Sequence, residues 1–234
     1  MIDITTKFLY HLVVNAQNVN FLDYFRFAYY SNFHGSVPPL FKEQSGRTVL
    51  IDLYQPVDVL FQQMKSNYRN EVRRAEKEEI KFETEKDICA FVKYYNAFAL
   101  QKGLKKISSY QIEKYRDYFL TKAVWNDKVL SMHACFIDAQ QSICYLLYSA
   151  SNRLSNEEDS KLIGYANKFL HFSEFKMCKE LNLKYYDFSG IVEDPENKQE
   201  YGIGLFKKGF GGNIVTTKHC TSPFMTFLLR FISR

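Results

Sequence analysis

Proline and glycine are both scarce. Five prolines and ten glycines in 234 residues leave the chain free to build regular elements and exclude a collagenous or low-complexity string. Long apolar runs are missing too. Nothing approaches the roughly 18 uncharged residues of a spanning helix, and residues 1–20 lack the basic-then-apolar layout of a secretory signal, which together point to the cytoplasm. The five cysteines are odd in number and never form Cys-x-x-Cys, so neither a disulfide framework nor a zinc site is indicated, and no metal is expected. A large charge of one sign is also absent: the formal +5 permits an anionic partner without demanding one. What is present is apolar mass. With 46% hydrophobic and 17% aromatic residues, the chain can bury one large core.

The hydrophobic periodicities predict the order of elements. Residues 1–44 are aromatic-rich and irregular, with one short helix expected over 19–30. Residues 48–53 form an apolar, β-branched run between Gly46 and Pro56, as a buried strand does. From Pro56 the period changes: Phe61, Met64, Tyr68, Val72 and Ala75 recur at three and four residues, predicting one amphipathic helix to about Glu79. A strand over 80–84 follows, then a helix over 87–102 stopped by Gly103. Ser108 with Gln111 is a capping-box pattern for another helix, ending near Leu120. Period-two alternation over 123–150, broken at Asn126-Asp127 and at 138–141, reads as an antiparallel meander. A polar loop over 151–160, a helix over 160–181 stopped by Asn182, and a strand over 183–188 complete the order. The fold class is α/β (α+β), and this order alone does not choose among the α/β sandwiches.

Glycine, scarce elsewhere, is concentrated in one place. Five of the ten lie between Gly202 and Gly212, with Gly190 upstream. Because glycine tolerates positive φ and close backbone approach, the clustering marks a main chain shaped for a purpose. The strand end Tyr185-Tyr186-Asp187-Phe188-Ser189-Gly190-Ile191, followed by Gly204-Leu205-Phe206-Lys207-Lys208-Gly209-Phe210-Gly211-Gly212, resembles the C-terminal signature of the FemAB/FemX group. These are GNAT-like N-acyltransferases whose best-known members add amino acids to peptidoglycan precursors. Val49-Leu50-Ile51-Asp52-Leu53 and Tyr68-Arg69-Asn70-Glu71-Val72-Arg73-Arg74-Ala75-Glu76-Lys77 are similar to the same group's strand and basic helix, in the same order. The resemblance implies a single GNAT-like domain over 47–222, with a mixed, mostly antiparallel central sheet and helices on both faces. Residues 1–46 are then an aromatic-rich segment, expected as the remnant of a first GNAT-like domain, and 223–234 a C-terminal amphipathic helix.

N-acyl transfer requires an activated acyl group held beside an unprotonated amine, with donors aimed at the oxyanion of the tetrahedral intermediate. A lysine or backbone N–H for the oxyanion, plus a carboxylate, histidine or water path for the proton, suffices. Lys207 is the first catalytic candidate, since the resemblance implies that the matching lysine serves substrate binding or catalysis. Asp187 is the second: it either takes a proton or accepts the Ser189 and Gly190 amides and fixes the turn. His133 on the meander and His171 on the long helix read as satisfied, half-buried residues. Arg69, Arg73 and Lys77 share one helix stripe, where like charges repel and an anion would compensate. With Phe206, Gly211 and Gly212 they form the candidate substrate-binding set. The alternative for the stripe is a solvated, salt-bridged face.

One feature of ordinary CoA-using GNAT enzymes is lacking. Their glycine-rich loop cradles a pyrophosphate at a helix N-terminus. Residues 149–161 contain no glycine, and Glu157, Glu158 and Asp159 would repel an anion there. The co-substrate therefore stays open between acyl-CoA and aminoacyl-tRNA. At the C-terminus, Phe224, Phe227, Leu228, Phe231 and Ile232 recur at helical spacing, fit either for packing on protein or for peripheral membrane contact. The expected protein is a bacterial, cytoplasmic N-acyltransferase of cell-wall or polysaccharide biosynthesis. Its acceptor would be the amine of a peptidoglycan stem or of a nucleotide- or lipid-linked amino sugar. The rivals are a non-catalytic GNAT-fold binding protein and a tRNA-binding module.

Overall fold

Alternation along two strands decides where the helices sit. The computed structural model describes residues 1–6, 10–151 and 160–232, and the chain divides into two units, Met1–Thr48 with Ile214–Arg234, and Val49–Asn213. In chain order come strands β1 (Ile2–Thr6), β2 (Tyr10–Val14), β3 (Phe27–Ser31) and β4 (Lys42–Asp52). Helices α1 (Val57–Gln63) and α2 (Ser66–Lys77), strand β5 (Lys81–Glu85), and helices α3 (Ile88–Lys102) and α4 (Tyr110–Glu113) follow. Strands β6 (Tyr118–Trp125), β7 (Lys128–Asp138) and β8 (Ile143–Ser151) precede the long α5 (Ser160–Glu180). Then come β9 (Tyr185–Asp187), α6 (Lys198–Lys208), β10 (Asn213–Thr221) and α7 (Pro223–Ile232).

In the second unit the strand order is β4-β9-β8-β7-β6-β5, with residues 49–52 of β4 at one edge. β8 and β9 are parallel and the other pairs antiparallel, so the sheet is mixed and mostly antiparallel, as expected. Met132 and Ala134 of β7 share a core with Phe91, Tyr95 and Ala99 of α3, whereas His133 between them reaches α5. Leu120 and Thr121 of β6 divide in the same way. Successive side chains point to opposite faces of a strand, so the sheet carries helices on both. On the α5 face, Val72, Ala75, Ile163, Ala166 and Leu170 are wholly shielded between α2 and α5. Burial of each of the larger aliphatic chains contributes about 1.5–3 kcal/mol.

The first unit differs from its sequence reading. In place of a helix over 19–30 there is a 3-10 turn, Phe21–Phe25, capped by Asn20, whose side chain accepts the Leu22 amide. Around it β1, β2, β3, β10 and β4 pair in that order. Alternating aromatic residues in β3 suit a pleated strand better than a helix. The buried Asp23 carboxylate accepts from Tyr30 OH at 2.5 Å and faces His11 Nδ1 at 2.5 Å. On α7, Phe224, Phe227 and Leu228 are exposed.

Two further expectations are corrected in the second unit. The helix from Pro56 is broken into α1 and α2, because Met64 and Lys65 are extended (ψ 149° and 145°) and the Arg69 guanidinium takes the freed carbonyls of Gln62 and Met64. The helix after Ser108 is one turn only, and β6 has begun by Tyr118. The glycine-rich run is helical as far as Lys208, with Asn197 capping α6. Apart from Gly202, where a Cβ would meet nothing, its glycines serve close packing: a Cβ on Gly204 would sit 3.0 Å from the Val192 carbonyl, and one on Gly209 2.4 Å from the Tyr68 ring. The loop expected over 151–160 falls largely outside the described residues.

Gly211 combines a left-handed φ of +84° with a backbone approach that would leave a Cβ 2.3 Å from the Gln63 carbonyl oxygen. Gly211→Ala is expected to destabilise the protein by about 2–3 kcal/mol, read as a lower urea midpoint. An unchanged midpoint would show that this backbone is free to relax.

Candidate active site

Asn167, His171 and Glu174 stand at i, i+4 and i+7 of α5 and so share one helix face. Glu174 and His171 are both completely shielded from solvent. An isolated carboxylate in such a place would be expensive, and Glu174 is not isolated. Its Oε1 accepts from Thr121 Oγ1 of β6 at 2.5 Å and lies 2.9 Å from His133 Nδ1 of β7. Its Oε2 accepts from Tyr186 OH of β9 at 2.7 Å and lies 3.4 Å from His171 Nδ1. His133 uses its other nitrogen as well, 2.9 Å from Asn167 Oδ1. His171 does not: Nδ1 is 3.3 Å from Tyr186 OH, while Nε2 has no hydrogen-bond partner among the described residues.

Burial alone would raise the Glu174 carboxyl, but the charge and hydrogen bond of His133, with His171 behind them, hold it well below the usual carboxylate range. Burial, reinforced by His133, pushes His171 down to about 3 against the opposing pull of Glu174. The imidazole is therefore neutral at physiological pH. Burial raises Tyr186 well above the ordinary phenol, so it remains a donor.

A second group of residues is built on the turn after β9. Asp187 Oδ1 accepts the Ser189 amide at 2.7 Å and holds Ser189 at a φ of +57°. Ser189 Oγ donates to the Leu146 carbonyl of β8 at 2.6 Å. In this conformation the carbonyls of Ser189 and Gly190 accept from Lys207 Nζ of α6, at 2.8 and 2.7 Å. Burial lowers the Lys207 ammonium to about 8, with Asp187 partly offsetting it.

Both groups meet at a cavity of about 440 Å3. Phe98, Leu146, Phe188, Ile203 and Phe206 form apolar wall, and Ser149, Asn167, His171 and Lys207 bring polar groups to it. Of the candidates from sequence, Lys207 and Phe206 line this cavity, and Asp187 adjoins it through the Ser189 turn. The others lie outside the lining. Arg69 caps α1, Arg73 sits 5.1 Å over the Phe61 ring and 3.4 Å from Asn70, and Lys77 is exposed on α2. Gly211 meets Gln63, and Gly212 lies against Leu50 and Ile51 of β4. The histidines, read as half-buried, are both fully buried, and they belong to one network. Three polar residues at i, i+4 and i+7, interleaved with the apolar residues that α5 buries, were the available signal.

His133, His171 and Glu174 offer ligand atoms within 4.8 Å of one another, near enough to share a cation. Both Glu174 oxygens and both His133 nitrogens already have protein partners, so the set fits a hydrogen-bond network better than a metal cage.

No protein-family model matches the chain, and no curated sequence does. Solved structures with the same fold include FemX, 16% identical, covering 83% of this chain and 68% of that one, with a TM-score of 0.65. L-PGS from Bacillus licheniformis is 9% identical, covers 99% of this chain and 85% of that one, and has a TM-score of 0.63. The C-terminal domain of a putative lysylphosphatidylglycerol synthetase from Agrobacterium fabrum is 9% identical, covering 98% and 82%, with a TM-score of 0.60. The chain thus has a FemX-like, GNAT-type fold. No helix among the described residues is long and apolar enough to cross a membrane.

The depressed His171 gives a stability signature. With its folded value near 3, against 6.5 for an ordinary histidine, the unfolded chain binds the extra proton between those values. Stability from this group is complete above about pH 6.5 and falls as the pH drops towards 3, by up to roughly 1.4 kcal/mol per unit. Urea midpoints measured from pH 7 to 4 should fall less steeply in His171→Gln than in the wild type. Equal slopes would remove His171 from the titration.

Proposed function

We propose that this chain is an N-acyltransferase that moves an acyl or aminoacyl group from an activated carrier to the amine of a cell-envelope precursor. The observation that carries the reading is Lys207, a half-buried ammonium in the wall of a largely apolar cavity. An ammonium has three donors. Two are committed to Ser189 and Gly190, which fix its position, and one is left for a carbonyl oxygen that gains charge during attack. Fixed donors in a water-poor site need no reorganisation as that charge develops, which is what acyl transfer demands. Asp187, engaged with the Ser189 amide, serves this device as a positioning residue by holding the turn that presents the two carbonyls.

The described lining also bears on the donor. Its charged residues are Lys102 and Lys207, with no carboxylate among them. An aminoacyl group would bring its own ammonium to two cations, whereas an uncharged acyl chain fits Phe98, Leu146 and Phe188. This favours an acyl thioester over an aminoacyl ester. The basic stripe of α2 lies outside the lining and is partly engaged within its own unit, which leaves the tRNA-binding reading with little support. The rival reading, a binding protein without chemistry, shares the cavity and differs only in turnover.

The test is acylation of primary amines and amino sugars with acetyl-CoA, longer acyl-CoAs and aminoacyl-tRNA as donors. Lys207→Ala is expected to lower kcat by about 10²–10³-fold, with a stability loss of about 1–3 kcal/mol from the two hydrogen bonds. Because the ammonium form is the active one, the Lys207-dependent part of turnover should fall as the pH rises through about 8. Unaltered turnover in Lys207→Ala would remove this residue from the mechanism. Ligand-induced thermal shifts with no product from any donor would favour the binding protein.

A further inference from the structure

Attack by an amine leaves a proton to be placed, and the lysine device does not place it. We propose that His171 Nε2 is the proton acceptor for the attacking amine, with Glu174 and Tyr186 as positioning residues that fix its tautomer; this rests on the acyl-transfer reading above. Nδ1 faces two oxygens, at 3.3 Å and 3.4 Å, one of them an ionised carboxylate oxygen. The neutral ring therefore carries its hydrogen on Nδ1, and the lone pair is on Nε2. That nitrogen has no hydrogen-bond partner among the described residues, although it belongs to a ring in the cavity wall that also holds Lys207. His133 is unsuited to the role, since both its nitrogens face oxygens at 2.9 Å.

The surroundings define what the ring can do. Glu174 on the same helix, His133 from β7, Tyr186 from β9 and Lys207 from α6 are the titratable groups around it. Phe188 and Phe210, each with its ring centroid 5.0 Å away, and Phe206 at 5.8 Å form an apolar collar. In the step proposed, the amine lone pair forms the C–N bond and the carbonyl π pair moves to oxygen near Lys207. The ammonium of this addition intermediate passes one proton to Nε2, and Glu174 stabilises the resulting imidazolium. Collapse reforms the C=O and breaks the bond to the carrier sulfur or oxygen, which takes the proton back from Nε2. The products are an amide and the protonated carrier, and His171 ends neutral. The proton moved is that of the addition intermediate, far more acidic than a free alkylammonium, so a weakly basic imidazole suffices.

Two measurements on the full chain decide this. In protein labelled with 15N-histidine, the His171 ring at pH 7 should give the neutral, Nδ1-protonated pattern, with that preference lost in Glu174→Gln. An Nε2-protonated or doubly protonated wild-type ring would overturn the proposal with no substrate needed. In the acylation assay, His171→Gln should lower kcat about 10²–10⁴-fold with KM changed only a few-fold, and added imidazole should restore part of the rate in His171→Gly. Full kcat in His171→Gln would end this role while leaving acyl transfer intact. Wild-type protein that turns over no donor would remove the acyl-transfer reading, and this role with it.

Discussion

The second unit depends on keeping one carboxylate charged without water. Glu174 has no solvent exposure, and its stability comes from donors supplied by β6, β7, β9 and its own helix. A buried charge that loses a partner is destabilising by about 3–5 kcal/mol, whereas a satisfied network is tolerated. The constraint is geometric as well as energetic. Thr121, His133 and Tyr186 lie on different strands, so their strand registers and the rotation of α5 must agree for all to reach the same two oxygens. Fixing Glu174 therefore fixes the helix on the sheet, and with it the His171 ring in the cavity wall.

The turn after β9 is held by a different principle. Ser189 at positive φ is unusual for a residue with a Cβ, and such a conformation persists when neighbours determine it. Asp187 takes its amide, Leu146 takes its hydroxyl, and Lys207 takes its carbonyl. All three hydrogen-bonding groups of one residue are thus committed, and the lysine is positioned by the same contacts that hold the turn. The strand-end sequence and the Phe206-Lys207 helix, separate in sequence, form one arrangement in space.

Most of the second unit was legible in the sequence because its signals are local. Alternation gave the meander, Asn182 and Gly103 marked helix ends with φ of +58° and +65°, and the apolar stripe gave α5. The failures arose where tertiary contact overrides a local pattern. The stripe from Phe61 to Ala75 keeps helical spacing across the break at Met64, because both helices bury the same side. Glycines in 202–212 marked close approach of the main chain, which Gly204 and Gly209 show against Val192 and Tyr68, but not that the run is helical to Lys208. Lys207 was marked as a candidate by its motif. Glu174 was not, since a lone glutamate on a helix reads as surface until Thr121, His133 and Tyr186, between 12 and 53 residues away, are known to surround it.

The two titratable side chains of the cavity wall are also coupled electrically. Burial lowers both Lys207 and His171, and the lysine charge adds to the lowering at His171. They start from ordinary values four units apart, so the same direction of shift separates their roles near neutral pH. Lysine, brought to about 8, remains largely an ammonium and can donate; histidine, brought to about 3, remains an acceptor. In the resting site, with no negative charge developing on a bound carbonyl, protonating the ring would place a second cation beside the first, which disfavours that state. Donor and acceptor are thereby kept distinct by one apolar environment, without a carboxylate entering the described lining. Glu174 lies behind the ring, near enough to orient it and outside the described lining.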